Sequence, residues 1–128
     1  MIQETIQICN QGVELLYCAA AEIGFEALSG KSSDVFIPKK DAEGKFLPPP
    51  ATTQDYIYLA LSAIVAAYDF RKEAQPITTE DILYKATPGE ITTLITTVIR
   101  LRNEWYRVPT VVTPETEDDG KDEQQKNA

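Results

Sequence analysis

The chain contains no histidine. That absence removes the commonest general base, the Ser-His and Cys-His nucleophile pairs and every imidazole metal site, and it points away from catalysis. Cysteine is nearly as scarce. Cys9 and Cys18 are too few for a disulfide scaffold, and no second pair stands near them to complete a zinc site. Both read as small buried hydrophobes on a helix, because free cysteine is among the most buried residue types. Long apolar runs are missing too: the longest, residues 56–68 (YIYLALSAIVAAY), falls short of the roughly 20 residues that span a bilayer. The first residues carry no basic-then-apolar leader, so the chain reads as cytoplasmic with free thiols. Positive charge is in deficit. With 12 Lys and Arg against 20 Asp and Glu, the net charge is −8, which argues against nucleic acid or a membrane surface as partner.

What is present suits one globular domain: 128 residues, 43% hydrophobic and 25% charged. The expected fold class is mainly α, a small helical domain over residues 1–109. Three to four helices are expected at about 11–29, 53–72, 79–85 and 88–106, with a loop or short β-hairpin at 31–51 and a disordered acidic tail at 110–128.

Periodicity and capping carry these assignments. Ile2, Ile6, Cys9, Val13, Leu16, Ala20, Ile23 and Ala27 are spaced by threes and fours, the core stripe of a long first helix. Gly12 weakens that stripe locally, and Thr-Ile-Gln-Ile-Cys also suits a strand, so residues 2–10 stay open between the two. Val35 to Pro38 and Lys45 to Leu47 flank a Gly-containing turn and can pair as a small hairpin. Thr52 and Asp55 form a capping-box pattern before the apolar run, and a helix apolar all round belongs in the middle of a bundle or against a partner. Thr87-Pro88-Gly89-Glu90 is the strongest helix start in the chain. The β-branched residues after it keep a period of 3.6, placing Ile91, Leu94, Ile95, Val98 and Leu101 inward and Thr92, Thr93, Thr96 and Thr97 on one outer face.

Few residues invite a chemical reading. Gly24 and Gly30-Lys31-Ser32 come near a phosphate-binding loop, but the spacing is one residue too long and no buried strand precedes them. Gly30 reads as a helix end. Glu22 and Glu26, one turn apart, read as a solvated face, and the acidic run at 115–123 lacks the ligand spacing of a calcium loop. No catalytic, cofactor-binding or metal-ligating residue emerges. Aromatic side chains are what protein interfaces enrich, which makes Tyr56, Tyr68, Phe70, Trp105 and Tyr106 the candidate protein-binding residues, Trp105 and Tyr106 foremost.

Taken in order, several segments resemble one family, the small tail assembly chaperones of long-tailed bacteriophages and prophages. They are Ala27-Leu28-Ser29-Gly30-Lys31-Ser32 closing a helix, the apolar helix at 56–68, the step Gln75-Pro76-Ile77-Thr78-Thr79-Glu80-Asp81-Ile82, and a last amphipathic helix. The likeness covers about residues 11–106. Two departures stand beside it: the 31–51 insertion is longer than the family's, and the strand or hairpin with which members usually open is not evident. The resemblance implies a non-enzymatic protein without cofactors. Several copies would bind the tape measure protein and keep it soluble until tail-tube subunits replace them, which also allows a homo-oligomer. It further implies a longer form, made by ribosomal frameshifting, that recruits the tube protein. The rival reading is a helical adaptor or regulator that docks through Trp105 and Tyr106 with no role in tails; the gene next to this one discriminates the two.

Overall fold

In the computed structural model the described residues are 2–107, and the acidic tail expected at 110–128 lies outside them. The chain opens on a β-hairpin where the sequence stripe suggested a helix. β1 (Ile2–Ile8) pairs antiparallel with β2 (Gln11–Tyr17), Ile6 opposite Val13 and Ile8 opposite Gln11. Cys9 and Asn10 make the turn at φ 52° and 64°. Positive φ at both central residues is the type I′ geometry of two-residue hairpins, a conformation Asn tolerates. The Cys9 amide donates to the Glu90 carboxylate at 3.1 Å and ties this turn to the last helix.

The helix expected from residue 11 therefore starts only at Ala19, and the reason lies in how β2 is covered. Helices on both sides bury every residue from Val13 to Tyr17, Glu14 included. A strand buried on both faces reads as a continuous apolar run, and a helical stripe fits such a run equally well. Glu14 is satisfied there by Arg71, and its amide donates to the Tyr68 hydroxyl at 3.1 Å.

α1 (Ala19–Ser29) resets the phase. Ala21 and Phe25 point inward, whereas Ala20, Ile23 and Ala27, which the single stripe placed in the core, are exposed. Neither cysteine lies within a helix: Cys9 is in the turn and Cys18 at the N-cap, both half-buried. Gly30 closes α1 as expected, at φ 72° with its N–H donating to the Glu26 carbonyl at 2.9 Å.

Val35 and Phe36 fall in a 3-10 turn (Ser33–Phe36) instead of a strand. The small hairpin forms just beyond it, β3 (Lys39–Lys40) against β4 (Phe46–Leu47), with the Asp41 carboxylate accepting the Glu43 and Lys45 amides inside its turn. α2 (Thr53–Arg71) is the central element, buried along most of its length from Leu59 to Tyr68. α3 (Thr79–Lys85) is capped by the Thr78 hydroxyl and lends Ile82 to the core. α4 (Pro88–Arg107) starts on reciprocal Thr87 and Glu90 bonds of 3.2 and 3.0 Å. Thr97 corrects the outer-face assignment. With Leu94, Val98 and Leu101 it forms one inward stripe and is buried, whereas Thr92, Thr93 and Thr96 are exposed. The result is a mainly helical fold with two short antiparallel strand pairs.

The start of α2 and the residue just past the end of α1 meet at one buried carboxylate. Asp55 accepts the Thr52 amide at 2.9 Å and receives the Lys31 ammonium on both oxygens at 3.1 Å. Burial opposes its ionisation, but the bonds from Thr52 and Lys31 outweigh burial and hold its pKa below 3.8. A depressed carboxylate contributes stability above its unfolded pKa and loses that contribution as pH falls through the folded pKa. Lys31→Met is therefore expected to move the acid unfolding midpoint, followed by circular dichroism, to higher pH. At neutral pH the loss should stay within about 1 kcal/mol, because Lys31 is half-exposed. An unmoved midpoint would mean that Thr52 alone sets the carboxylate.

Candidate functional site

α1 and α2 run in opposite directions, with Ala21 beside Ser62 at one point and Lys31 reaching Asp55 beyond the end of α1. They cross closely because Gly24 has no side chain. A Cβ there would lie 2.2 Å from the Ser62 hydroxyl oxygen, which itself donates to the Ala21 carbonyl at 2.6 Å. Gly24→Ala should therefore destabilise the fold by about 1–3 kcal/mol through overpacking. Adding Ser62→Ala leaves only a Cβ contact of 3.4 Å. Most of the loss should then return in thermal melts, a coupling that simple additivity of the two substitutions would refute.

Beside this crossing lies an apolar groove of about 510 Å³, which the two helices line. α2 contributes Ser62, Val65, Ala66, Asp69 and Phe70, spaced as one helical stripe, and α1 contributes Ala20, Ile23 and Gly24. Ala20, Gly24 and Ala66 are too small to fill the space between the helices, so the floor stays open. The rims are the opposite: Ile23 is 67% exposed and Phe70 63%, and Leu28, 55% exposed, lies further along α1. Large apolar side chains gathered at an open groove mark a binding surface, whereas scattered ones do not.

A second, smaller cavity of about 330 Å³ lies between Phe36, Pro38, Pro49, Tyr56 and α4, with Arg102 in its wall. Arg102 belongs to a polar clamp between α1, β2 and α4. The Glu22 carboxylate accepts the Tyr17 hydroxyl at 2.8 Å and the Tyr106 hydroxyl at 2.8 and 2.9 Å, while Arg102 Nε lies 3.7 Å away. Glu22 is thus mostly covered and engaged, which corrects its reading as part of a solvated face; Glu26 instead accepts the Ser33 amide. Burial raises the Tyr17 pKa far above its ordinary value, and the Glu22 carboxylate raises it further; the same two causes raise that of Tyr106. The clamp fixes the last turn of α4 and has no free acid or base to offer a substrate.

The five aromatic candidates are dispersed by the fold. Phe70 alone lines the groove. Tyr68 is buried at 6% exposure, its hydroxyl accepting the Glu14 amide. Tyr56 is half-buried, its ring 5.1 Å from that of Phe36. Trp105 leans on Tyr17 at 5.5 Å, and Tyr106 is held by Glu22. The groove residues missed from the sequence are Ile23, Val65 and Ala66 with Gly24 and Asp69; the detectable signal was the small pair Ala20 and Gly24 at i,i+4, which permits close helix approach. Lys31 and Ser32 converge on no common point, since Lys31 is paired with Asp55 and Ser32 caps the 3-10 turn.

Among the described residues no three potential metal ligands cluster, and no helix is long and apolar enough to cross a membrane. Compared with protein-family models, curated proteins and solved structures, the chain matches none.

Proposed function

We propose that this protein is a non-enzymatic tail assembly chaperone of a long-tailed phage or prophage, which binds the tape measure protein in the host cytoplasm and keeps it soluble during tail assembly. The observation that carries the reading is the open apolar groove between α1 and α2, rimmed by Ile23 and Phe70. An amphipathic helix can lay its apolar face into such a groove, the recognition mode suited to a long helical client. The N-terminal hairpin adds support. Members of the family open on a strand or hairpin, and β1–β2 supplies that element where the sequence stripe had obscured it. A net charge of −8 resists precipitation of a loaded complex.

The adaptor reading draws less support, because Trp105 is half-buried against Tyr17 and Tyr106, though 54% exposed, is held by Glu22 and lies outside the groove. Co-expression with the neighbouring tape measure gene tests the proposal. The client should move from the pellet to the soluble fraction when this protein is present, and a client equally insoluble in both cases would refute the reading.

A further inference from the structure

The lining of the groove is mostly apolar. Of the residues that line it, Asp69 is the one with a charge, and it lies one helical turn from Val65 and Ala66 and beside Phe70. Asp69 forms no ion pair among the described residues: the nearest cation in sequence, Arg71, is taken by Glu14 and Glu73. Asp69 is exposed, and a helix seated in the groove would strip away part of the carboxylate's hydration. An apolar side chain laid against Asp69 leaves the charge uncompensated. An acidic one adds repulsion in surroundings less polar than open solvent. A lysine or arginine replaces the lost hydration with a charge-assisted hydrogen bond, while its methylene stem continues the apolar contact toward Phe70.

We infer that Asp69 makes the groove selective for a client helix that carries a basic side chain beside its apolar stripe. This rests on the groove being the client site. It adds a rule for which helices are accepted, part attraction to a cation and part exclusion of an anion.

Two fluorescein-labelled designed helical peptides of about 20 residues, long enough to overrun the groove, separate the claims. They share one Leu and Ala stripe and differ at a single flanking position, Lys in one and Glu in the other. Anisotropy titrations with the full chain should give the Lys peptide an advantage of about fivefold, the scale of an exposed pair exchanged for a repulsive one. Asp69→Lys should reverse that order, and Asp69→Asn should abolish it. In about 1 M salt, where the Debye length falls to about 3 Å, the preference should fade. Equal affinity for both peptides in the unmodified chain, or an order unchanged by Asp69→Lys, overturns the charge rule and leaves the groove reading standing. If neither peptide binds, or if Val65→Asp leaves both bound, the groove reading falls and this rule with it.

Discussion

Phe25→Ala is expected to be the most destabilising single truncation considered for this fold, by about 3–5 kcal/mol, the usual range for removing a buried aromatic ring. Phe25 is fully buried on the inner face of α1. Its ring lies 4.8 Å from that of Phe36, which lies 5.1 Å from that of Tyr56, so a file of three aromatics joins α1 through the 3-10 turn to the first turns of α2. Tilted aromatic pairs at such distances add about 0.5–1.5 kcal/mol to what their buried area contributes. Truncation removes one end of that file and leaves a cavity beside a helix pair already in close contact at Gly24 and Ser62, so the backbones have little freedom to move closer and collapse it. Against a total stability of about 5–15 kcal/mol for a domain of this size, the variant should melt well below the parent in circular dichroism and lose cooperativity. A loss under about 1 kcal/mol would mean that the file is not continuous, since a fully buried ring packed on Phe36 gives more.

The parts of this fold that were legible in the sequence are those set by local hydrogen bonds. Thr52 with Asp55 and Thr87 with Glu90 each announce a helix start within four residues, and each appears with its reciprocal bonds in place. Gly30 ends α1 for an equally local reason, a left-handed φ. The first hairpin was illegible on two counts. Its turn uses Cys9 and Asn10 with no glycine between the strands' ends, while Gly12, the apparent breaker, lies within β2 opposite Gln7. The burial of β2 on both faces then erased the alternation that would have separated strand from helix. Running one stripe through strand and helix alike assigned Ile23 to the core, when it is an exposed rim of the groove.

The candidate site was harder still, because a groove is an absence of side chains. Phe70 was named for its aromaticity, but the opening beside it comes from Ala20, Gly24 and Ala66, residues that sequence reading treats as filler. How two helices sit against each other depends on tertiary contacts, here the Gly24 crossing and the Lys31–Asp55 pair just past the end of α1. No local pattern encodes that. The engagement of Tyr106 in a clamp with Glu22 and Arg102 has the same origin, since the carboxylate and its phenol partners lie on α1, β2 and α4.

On the proposed chaperone function, Ile23→Asp combined with Phe70→Asp is expected to abolish solubilisation of a co-expressed tape measure protein while leaving the fold standing. Both side chains already face water at 67% and 63% exposure, so a carboxylate at either place removes little buried area. Surface changes of this kind usually alter stability by no more than about 0.5 kcal/mol, and the melt should coincide with the parent's. Binding has the opposite sensitivity. A client helix in the groove must cover both rims, and each new carboxylate would lose water there against an apolar stripe. Replacing an apolar contact residue by a carboxylate that loses its water on binding costs about 2 kcal/mol, a factor of roughly 30 in affinity. Two such losses put binding out of reach at ordinary cellular concentrations. Tyr84→Asp supplies the comparison, because Tyr84 is more exposed than either, at 82%, but lies on α3 and does not line the groove. That variant should keep the client in solution. If it abolished solubilisation as fully as the double variant, surface greasiness in general would be the active property, and the groove would have no privileged part in holding the client.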